Sequence, residues 1–332
     1  MKFLIIGGGS IGKRHLNNLL SLSQKVAVVE PIKPKADEIE KKYKVKVYLK
    51  LNEALMEEYN AAIICNPNIY HIPTAIRVAQ KGIHLFIEKP LSDSLGGVGD
   101  LIELVQKNRL LTFMGSNFKF HPSFKLMKKL LGKNAIGKVL SFTVITGQYL
   151  PDWHPWEDYR KGYSANRFLG GGVLLDSHEF DYIQWFLGPI KRIACFAGKY
   201  SDLHIDTEDI AEAVVELEDK SIGNVHLDYI QHPYRRSYYF YGEKGTLEWS
   251  HREKSVLLYE VRNRKWRYFK EDKDYDPNQM YLKEIKHFLN VLRGKEKSIT
   301  NIYEAKQVLE VILAAKESSR LKHFINIKRD KK

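Results

Sequence analysis

Chemistry in this sequence begins at position 7. Gly7-Gly8-Gly9-Ser10-Ile11-Gly12 satisfies G-x-G-x-x-G. It follows the apolar run Lys2–Ile6 directly and opens a stretch with Ile11, Leu16, Leu19 and Leu20 at helical spacing. In that setting Gly7 permits a tight turn, Gly9 lets the backbone approach a pyrophosphate, and Gly12 allows close helix–strand packing. Ser10 and Ile11 start the helix whose N-terminus faces the phosphates. Glu30 ends the next apolar run, 18 residues after Gly12. An acid there accepts hydrogen bonds from ribose hydroxyls and repels a 2′-phosphate, so the pattern predicts NAD. Lys33 and Lys35 lie close by and keep NADP open as a cofactor.

Two further turns follow strand-like runs. Cys65-Asn66-Pro67-Asn68 comes after Ala61–Ile64, and Glu88-Lys89-Pro90 comes after His84–Ile87. Ligands bind at the C-terminal ends of strands in open α/β folds, so both turns are assigned to the cofactor cleft, together with His71. The asparagines suit a ribose or nicotinamide, although a plain Asx turn has the same composition. A lysine at such a strand end reaches the place where the nicotinamide would lie. On spacing alone, a salt-bridged surface lysine is the blander alternative. Asn117 and Lys119, after the next apolar run, are placed at the border of the same cleft as substrate-binding residues.

The elements that must position these residues change character along the chain. Up to about residue 121, short apolar runs (2–6, 25–30, 61–65, 84–87 and 110–115) alternate with helical stretches such as 73–81 and 95–108. That order implies a parallel sheet with right-handed crossovers. From 122 onward the runs 138–146, 191–198, 210–217, 221–229, 238–241, 246–249 and 255–261 are strand-like, several with apolar/polar alternation. Alternation suits an antiparallel sheet with one covered face. Helical stretches at 278–293 and 303–319 close the chain. The expected fold is α/β: an N-terminal Rossmann fold over 1–121, then an α+β domain over 122–332 with a large, mostly antiparallel open sheet. The open face is a candidate surface for a homodimer or homotetramer.

Composition narrows the function classes. The chain has 332 residues, 44% of them apolar and 28% charged, enough for two cored domains. No run approaches the ~18 unbroken apolar residues of a membrane helix, and the first apolar run is too short for a secretory signal, so a cytoplasmic protein is expected. Cys65 and Cys195 lie too far apart for a metal-ligand spacing, and no metal is expected. The net charge of +13 is spread among interleaved acids, as in Glu38-Ile39-Glu40-Lys41-Lys42, which describes a solvated helix face rather than a nucleic-acid groove. The basic tail 328–332 reads as a frayed end. An anionic small substrate suits the positive field better.

Taken together, these segments resemble the Gfo/Idh/MocA family of glucose–fructose oxidoreductases and inositol dehydrogenases. The resemblance runs through Gly7 to His15, the 65–68 and Glu88-Lys89-Pro90-Leu91 turns, and Gly170-Gly171-Gly172-Val173-Leu174-Leu175-Asp176-Ser177-His178-Glu179-Phe180-Asp181. It extends to Gly242-Glu243-Lys244-Gly245-Thr246-Leu247 and the closing helices. It implies that Lys89 orients and polarises the substrate oxygen and that His178 is the acid/base, with Asp176 as a third catalytic residue. An imidazole suits proton exchange near neutral pH. One departure stands out. Family members commonly place the acid four residues before the histidine, whereas Asp176 precedes His178 by two, about 200° apart on a regular helix. Asp176 with Glu179 also reads as a helix N-cap and its N3 partner, and Asp181 is an alternative partner for His178.

The segment Tyr149-Leu150-Pro151-Asp152-Trp153-His154-Pro155-Trp156-Glu157-Asp158-Tyr159-Arg160 is rich in aromatics. Trp153 and Tyr159 can stack on sugar rings, and Arg160, Lys161 and Arg167 can meet the diphosphate of a nucleotide sugar. Such loops look like those of family members tied to bacterial surface-sugar pathways. Packing of Trp153 and Trp156 onto the sheet is the competing reading. The expected activity is an NAD(P)-dependent oxidoreductase acting on a secondary alcohol or ketone of a sugar, cyclitol or nucleotide sugar. The alternatives are an NAD-dependent glycosidase-like enzyme of the same fold, which would turn over without net NADH change, and a non-catalytic dinucleotide-binding sensor.

Overall fold

The computed structural model describes residues 1–153 and 155–328; His154 of the aromatic loop and tail residues 329–332 lie outside the described residues. The chain forms two compact units, Met1–Asn117 with Pro277–Lys306, and Phe118–Asp276 with Gln307–Lys332.

In the first unit, β1 (Lys2–Ile6), β2 (Lys25–Val29), β3 (Lys46–Tyr48), β4 (Ala61–Ile64), β5 (His84–Ile87) and β6 (Thr112–Met114) make one sheet. Its order is β3-β2-β1-β4-β5-β6, and every pairing is parallel. Helices α1 (Ser10–Ser21), α2 (Lys33–Tyr43), α3 (Leu51–Ala54), α4 (His71–Ala79) and α5 (Val98–Lys107) connect the strands. β4 is buried at all four positions, as expected of a strand covered on both faces. The strand order reverses between β1 and β4, so the loops after those strands flank the switch point where such folds bind ligands.

The second unit is built on a nine-stranded sheet of β7 (Val139–Gly147), β8 (Ile190–Gly198), β9 (Ile210–Leu217), β10 (Ile222–Asp228), β11 (Arg235–Gly242), β12 (Gly245–Ser250), β13 (Ser255–Glu260), β14 (Lys265–Lys270) and β15 (Ile325–Asn326). The order is β14-β13-β12-β11-β7-β10-β9-β8-β15. β7 and β10 pair in parallel; the remaining pairs are antiparallel. One face packs under α6 (Pro122–Gly132), α7 (Val173–Asp176) and α8 (Glu179–Leu187). Phe124 of α6 and Phe186 of α8 meet Tyr238 at ring separations of 5.1 and 5.9 Å. The other face leaves Phe196, Val214, Ile222, Tyr241 and Tyr268 exposed.

Helix α9 (Asn278–Leu292), with only the first residues of α10 (Ile302–Leu321), departs from the expected division at residue 121. Residues 277–306 belong with the first unit rather than the second. The reason is aromatic packing: buried Phe288 of α9 meets Phe3, Phe86 and Phe113 of the parallel sheet at 6.4, 5.4 and 5.9 Å. The sequence reading also passes over β3, β14, β15 and α6. β14 is exposed at nearly every position, a charged edge strand with no buried alternation to betray it. Among the described residues, no helix is long and apolar enough to cross a membrane.

Candidate active site

The glycine turn is shaped by contacts that a side chain would destroy. Gly7 has φ +105°, and a Cβ on Gly12 would stand 2.0 Å from the Gly7 carbonyl oxygen. Gly9 is different. A Cβ there meets nothing within 4 Å, so the space over the turn is open. Gly9 is also the N-cap of α1, and no side chain caps that helix start. Open space over unsatisfied N–H groups, with exposed Ser10 beside them, fits the pyrophosphate of a dinucleotide.

Glu30 is buried next to this turn, and its two oxygens accept the N–H groups of Gly8 and Ile32, each at 3.0 Å. Each carboxylate oxygen keeps a second lone pair for a ribose hydroxyl. Cys65 abuts Gly7, because a Cβ on Gly7 would meet its carbonyl carbon at 2.7 Å. Pro67 leads into buried Asn68, and Asn66 donates to the Thr74 hydroxyl at 2.9 Å. His71, 1% exposed, spans two turns: Nε2 lies 2.7 Å from the Asn66 carbonyl and Nδ1 lies 2.8 Å from the Pro90 carbonyl. Burial pushes its pKa down, against the upward pull of those carbonyls. It therefore ties the 65–68 turn to the turn that carries Lys89.

Lys89 is half-buried, and its N–H donates to Glu88 Oε2 at 3.3 Å. Glu88 Oε1 meets Nε2 of His15, wholly buried on α1, at 2.6 Å. Burial pushes the Glu88 carboxyl up, but the His15 contact and the Lys89 charge pull it below its ordinary value. Glu88 is thus a brace for the turn. Asn117, also buried, donates to the Met280 sulfur at 3.6 Å.

In the second unit, α7 ends at Asp176, Ser177 is extended, and His178 stands at the N-cap position of α8. The capping alternative for Asp176 is thereby overturned: its Oδ2 accepts the Tyr229 hydroxyl at 2.5 Å instead. The His178 ring stacks on Tyr182, 5.3 Å between centroids with 4° between planes. Asp181 meets Lys119 at 2.7 Å, and both residues are buried.

The aromatic loop is folded back on the unit. Trp153 packs edge-on against Tyr229 at 5.4 Å and donates its indole N–H to the Gln148 carbonyl. Trp153 thus follows the packing reading, while Trp156 is 76% exposed and does not. The Tyr159 hydroxyl accepts the His204 N–H at 3.2 Å. Arg160 forks onto the Asp158 carboxylate at 2.7 and 2.9 Å, and Arg167 Nε donates to the Asp206 carbonyl at 3.2 Å.

Residues 1–116 match an oxidoreductase family with an NAD-binding Rossmann fold, and residues 124–248 match the Gfo/Idh/MocA C-terminal domain. The chain belongs to the Gfo/Idh/MocA family. Myo-inositol 2-dehydrogenase of Thermotoga maritima is 27% identical over 342 residues, covering 98% of each chain. Two solved structures share the fold of this Gfo/Idh/MocA protein. Levoglucosan dehydrogenase in complex with NADH has a TM-score of 0.91 at 16% identity, covering 99% of this chain and 100% of that one. The WlbA dehydrogenase of Bordetella pertussis, in complex with NADH and UDP-GlcNAcA, has a TM-score of 0.84 at 19% identity, covering 99% of both.

Sequence reasoning missed the residues that brace the site: His15 on Glu88, Tyr229 on Asp176, and Arg236 on Glu179, the last pair 2.8 Å apart. One signal was available. Arg236 shares its phase along β11 with Tyr238 and Phe240, so a charge occupies a position whose neighbours face the core.

Proposed function

We propose that this protein is an NAD-dependent dehydrogenase of a secondary alcohol on a polyhydroxylated ring, a sugar, cyclitol or nucleotide sugar. The observation that carries the reading is the open, uncapped helix start at Gly9 beside Glu30. Together they suit a dinucleotide whose 2′-hydroxyl is free. The named relatives act on or bind such rings: an inositol, levoglucosan, and a UDP-sugar acid.

NAD supplies hydride acceptance when bound, and Gly7, Gly9, Ser10, Ile11, Gly12, Glu30 and the 65–68 turn are the residues that would hold it. Lys89 keeps the substrate oxygen oriented, and its ammonium favours the negative charge that grows there. His178 exchanges the hydroxyl proton, and Asp176 supports it from the end of α7. Tyr159, Arg160 and Arg167 supply substrate contacts, while Trp153, Asn117 and Lys119 are held by Tyr229, Met280 and Asp181 and shape the walls behind them. Arg160 would then exchange Asp158 for a phosphate. The exposed apolar side chains on the open face of the second sheet support assembly into a homo-oligomer. The free thiols of Cys65 and Cys195 suit a cytoplasmic enzyme.

The test is a screen of the purified protein with NAD and NADP against sugars, inositols and UDP-sugars, followed by NADH absorbance. Lys89→Ala and His178→Ala should each lower turnover by about a hundredfold or more while NADH affinity stays nearly intact. Full turnover in either variant removes that residue from the mechanism. Release of a free sugar without net NADH would favour the glycosidase-like alternative.

A further inference from the structure

We propose that Glu179 is the positioning residue of His178, its buried carboxylate fixing the backbone that carries the imidazole. The inference rests on the acid/base reading of His178.

Glu179 opens α8 and is 0% exposed. Four hydrogen-bond donors and one guanidinium converge on it. Oε1 faces the sheet: the Thr146 hydroxyl donates at 2.7 Å, the Tyr238 hydroxyl donates at 3.3 Å, and Arg236 Nε makes an ion-pair contact at 2.8 Å. Oε2 faces the turn: the Ser177 hydroxyl donates at 2.6 Å and the His178 N–H donates at 3.0 Å. The carboxylate therefore bolts the turn between α7 and α8 to β7 and β11. Ser177 closes the turn from the other side, since its Oγ accepts the Glu179 N–H at 3.1 Å.

The local sequence cannot fix this turn by itself. His178 stands at the N-cap of α8, yet its side chain makes no capping hydrogen bond, and Ser177 at ψ 147° breaks the path from α7. The anchor is the sheet, which Glu179 reaches through Thr146 of β7 and Arg236 and Tyr238 of β11. Tyr182 sets the plane of the ring by stacking, and Glu179 sets where the ring starts. A buried ion pair is also a poor device for stability alone, because well-packed apolar residues often serve as well or better. Burial pushes the Glu179 carboxyl up, but the Arg236 charge and the bonds from Ser177, Thr146 and the His178 N–H pull it further down. It stays an all-acceptor group, as the four hydrogen-bond donors and the guanidinium require. A glutamine would set an N–H against one of them.

The experiment is histidine-ring NMR on the full chain, with the His178 signal identified by its loss in His178→Asn. In Glu179→Gln and Ser177→Ala that signal should shift and broaden, while the His15 and His226 signals and NADH affinity stay put. With a substrate from the screen, kcat should fall about tenfold in Glu179→Gln and about threefold in Ser177→Ala, at nearly constant KM. A His178 signal unmoved in both variants, whatever happens to the melting temperature, reduces Glu179 to a structural ion pair and overturns the proposal. If Glu179→Gln does not fold, Ser177→Ala decides. Full turnover in His178→Asn would instead sink the acid/base reading, and the ring spectra would still report whether Glu179 holds the residue.

Discussion

Backbone atoms shape the dinucleotide turn of the first unit, whereas side chains shape the surroundings of His178 in the second. At the turn, the decisive distances are from a would-be Cβ to carbonyl atoms, and Glu30 is held by two N–H groups. Around His178, the fixed points are Glu179 with Arg236, Asp181 with Lys119, and Asp176 with Tyr229. Where backbone atoms crowd a glycine, as at Gly7 and Gly12, such a site is brittle to any added side chain. A side-chain network is brittle to losing one partner but should survive the concerted replacement of both.

The largest effect should come from Gly12→Ala. Its Cβ would stand 2.0 Å from a backbone carbonyl, which cannot swing aside as a side chain can. A loss of more than about 3 kcal/mol of unfolding free energy is expected, at the severe end of overpacking. Gly9→Ala sharpens the contrast, because nothing lies within 4 Å of that Cβ. The apo melting temperature should hold within about a degree while NADH affinity falls about tenfold or more. Equal melting temperatures for the two variants would show that the turn is not built as described.

Next in size is Lys119→Met, which leaves the Asp181 carboxylate in the core without its ammonium. A loss of about 2 to 3 kcal/mol in urea unfolding is expected, because breaking one side of a buried pair costs more than the pair contributes. The double variant Lys119→Met/Asp181→Leu should recover most of it. No recovery would mean that this second-unit pair is as unforgiving as the glycine turn.

The same contrast explains what the sequence shows and what it hides. Gly7, Gly9 and Gly12 announce themselves because a six-residue motif contains the whole geometric requirement, and the apolar runs of β1, β4 and β5 announce a doubly covered sheet. The open sheet is legible too, since β9 buries Ala211, Ala213, Val215 and Leu217 in strict alternation. The bracing of His178 is not legible. Tyr229 lies 53 residues from Asp176, Asp181 lies 62 from Lys119, and Tyr238 lies 59 from Glu179. Only the fold brings such partners together, and a glutamate beside a histidine looks like a helix cap until Arg236 is found next to it. The placement of α9 was hidden for the same reason. Its helical spacing is plain, but nothing local says that Phe288 belongs with Phe3, Phe86 and Phe113.

A smaller effect is expected at Glu30, where the first unit does rely on a side chain. Glu30→Gln keeps one carbonyl oxygen and turns an amide NH2 toward either the Gly8 or the Ile32 N–H. NADH affinity should fall about tenfold, about 1.4 kcal/mol, with NADPH affinity less affected. Fluorescence titration with both cofactors checks this. An equal loss for both would show that Glu30 shapes the turn without reading the ribose.

The smallest expected effect tests whether a side-chain network loses its value on the open side of the second sheet. His226 bridges Glu212 at 2.5 Å and Asp228 at 2.7 Å. Its pKa is raised to about 9, by the Asp228 hydrogen bond first and against the downward push of burial. A raised histidine binds its proton more tightly folded than unfolded, so its stabilisation is complete below the ordinary value of 6.5 and fades as pH rises through about 9. The ring is 26% exposed and Glu212 57%, so solvent screening should hold the contribution to about 1 kcal/mol. Urea midpoints of wild type and His226→Gln should therefore differ near pH 6 and converge near pH 10. A gap that persisted at high pH would assign the contribution to packing rather than charge. A gap as large as that for Lys119→Met would erase the expected difference between the covered and open faces.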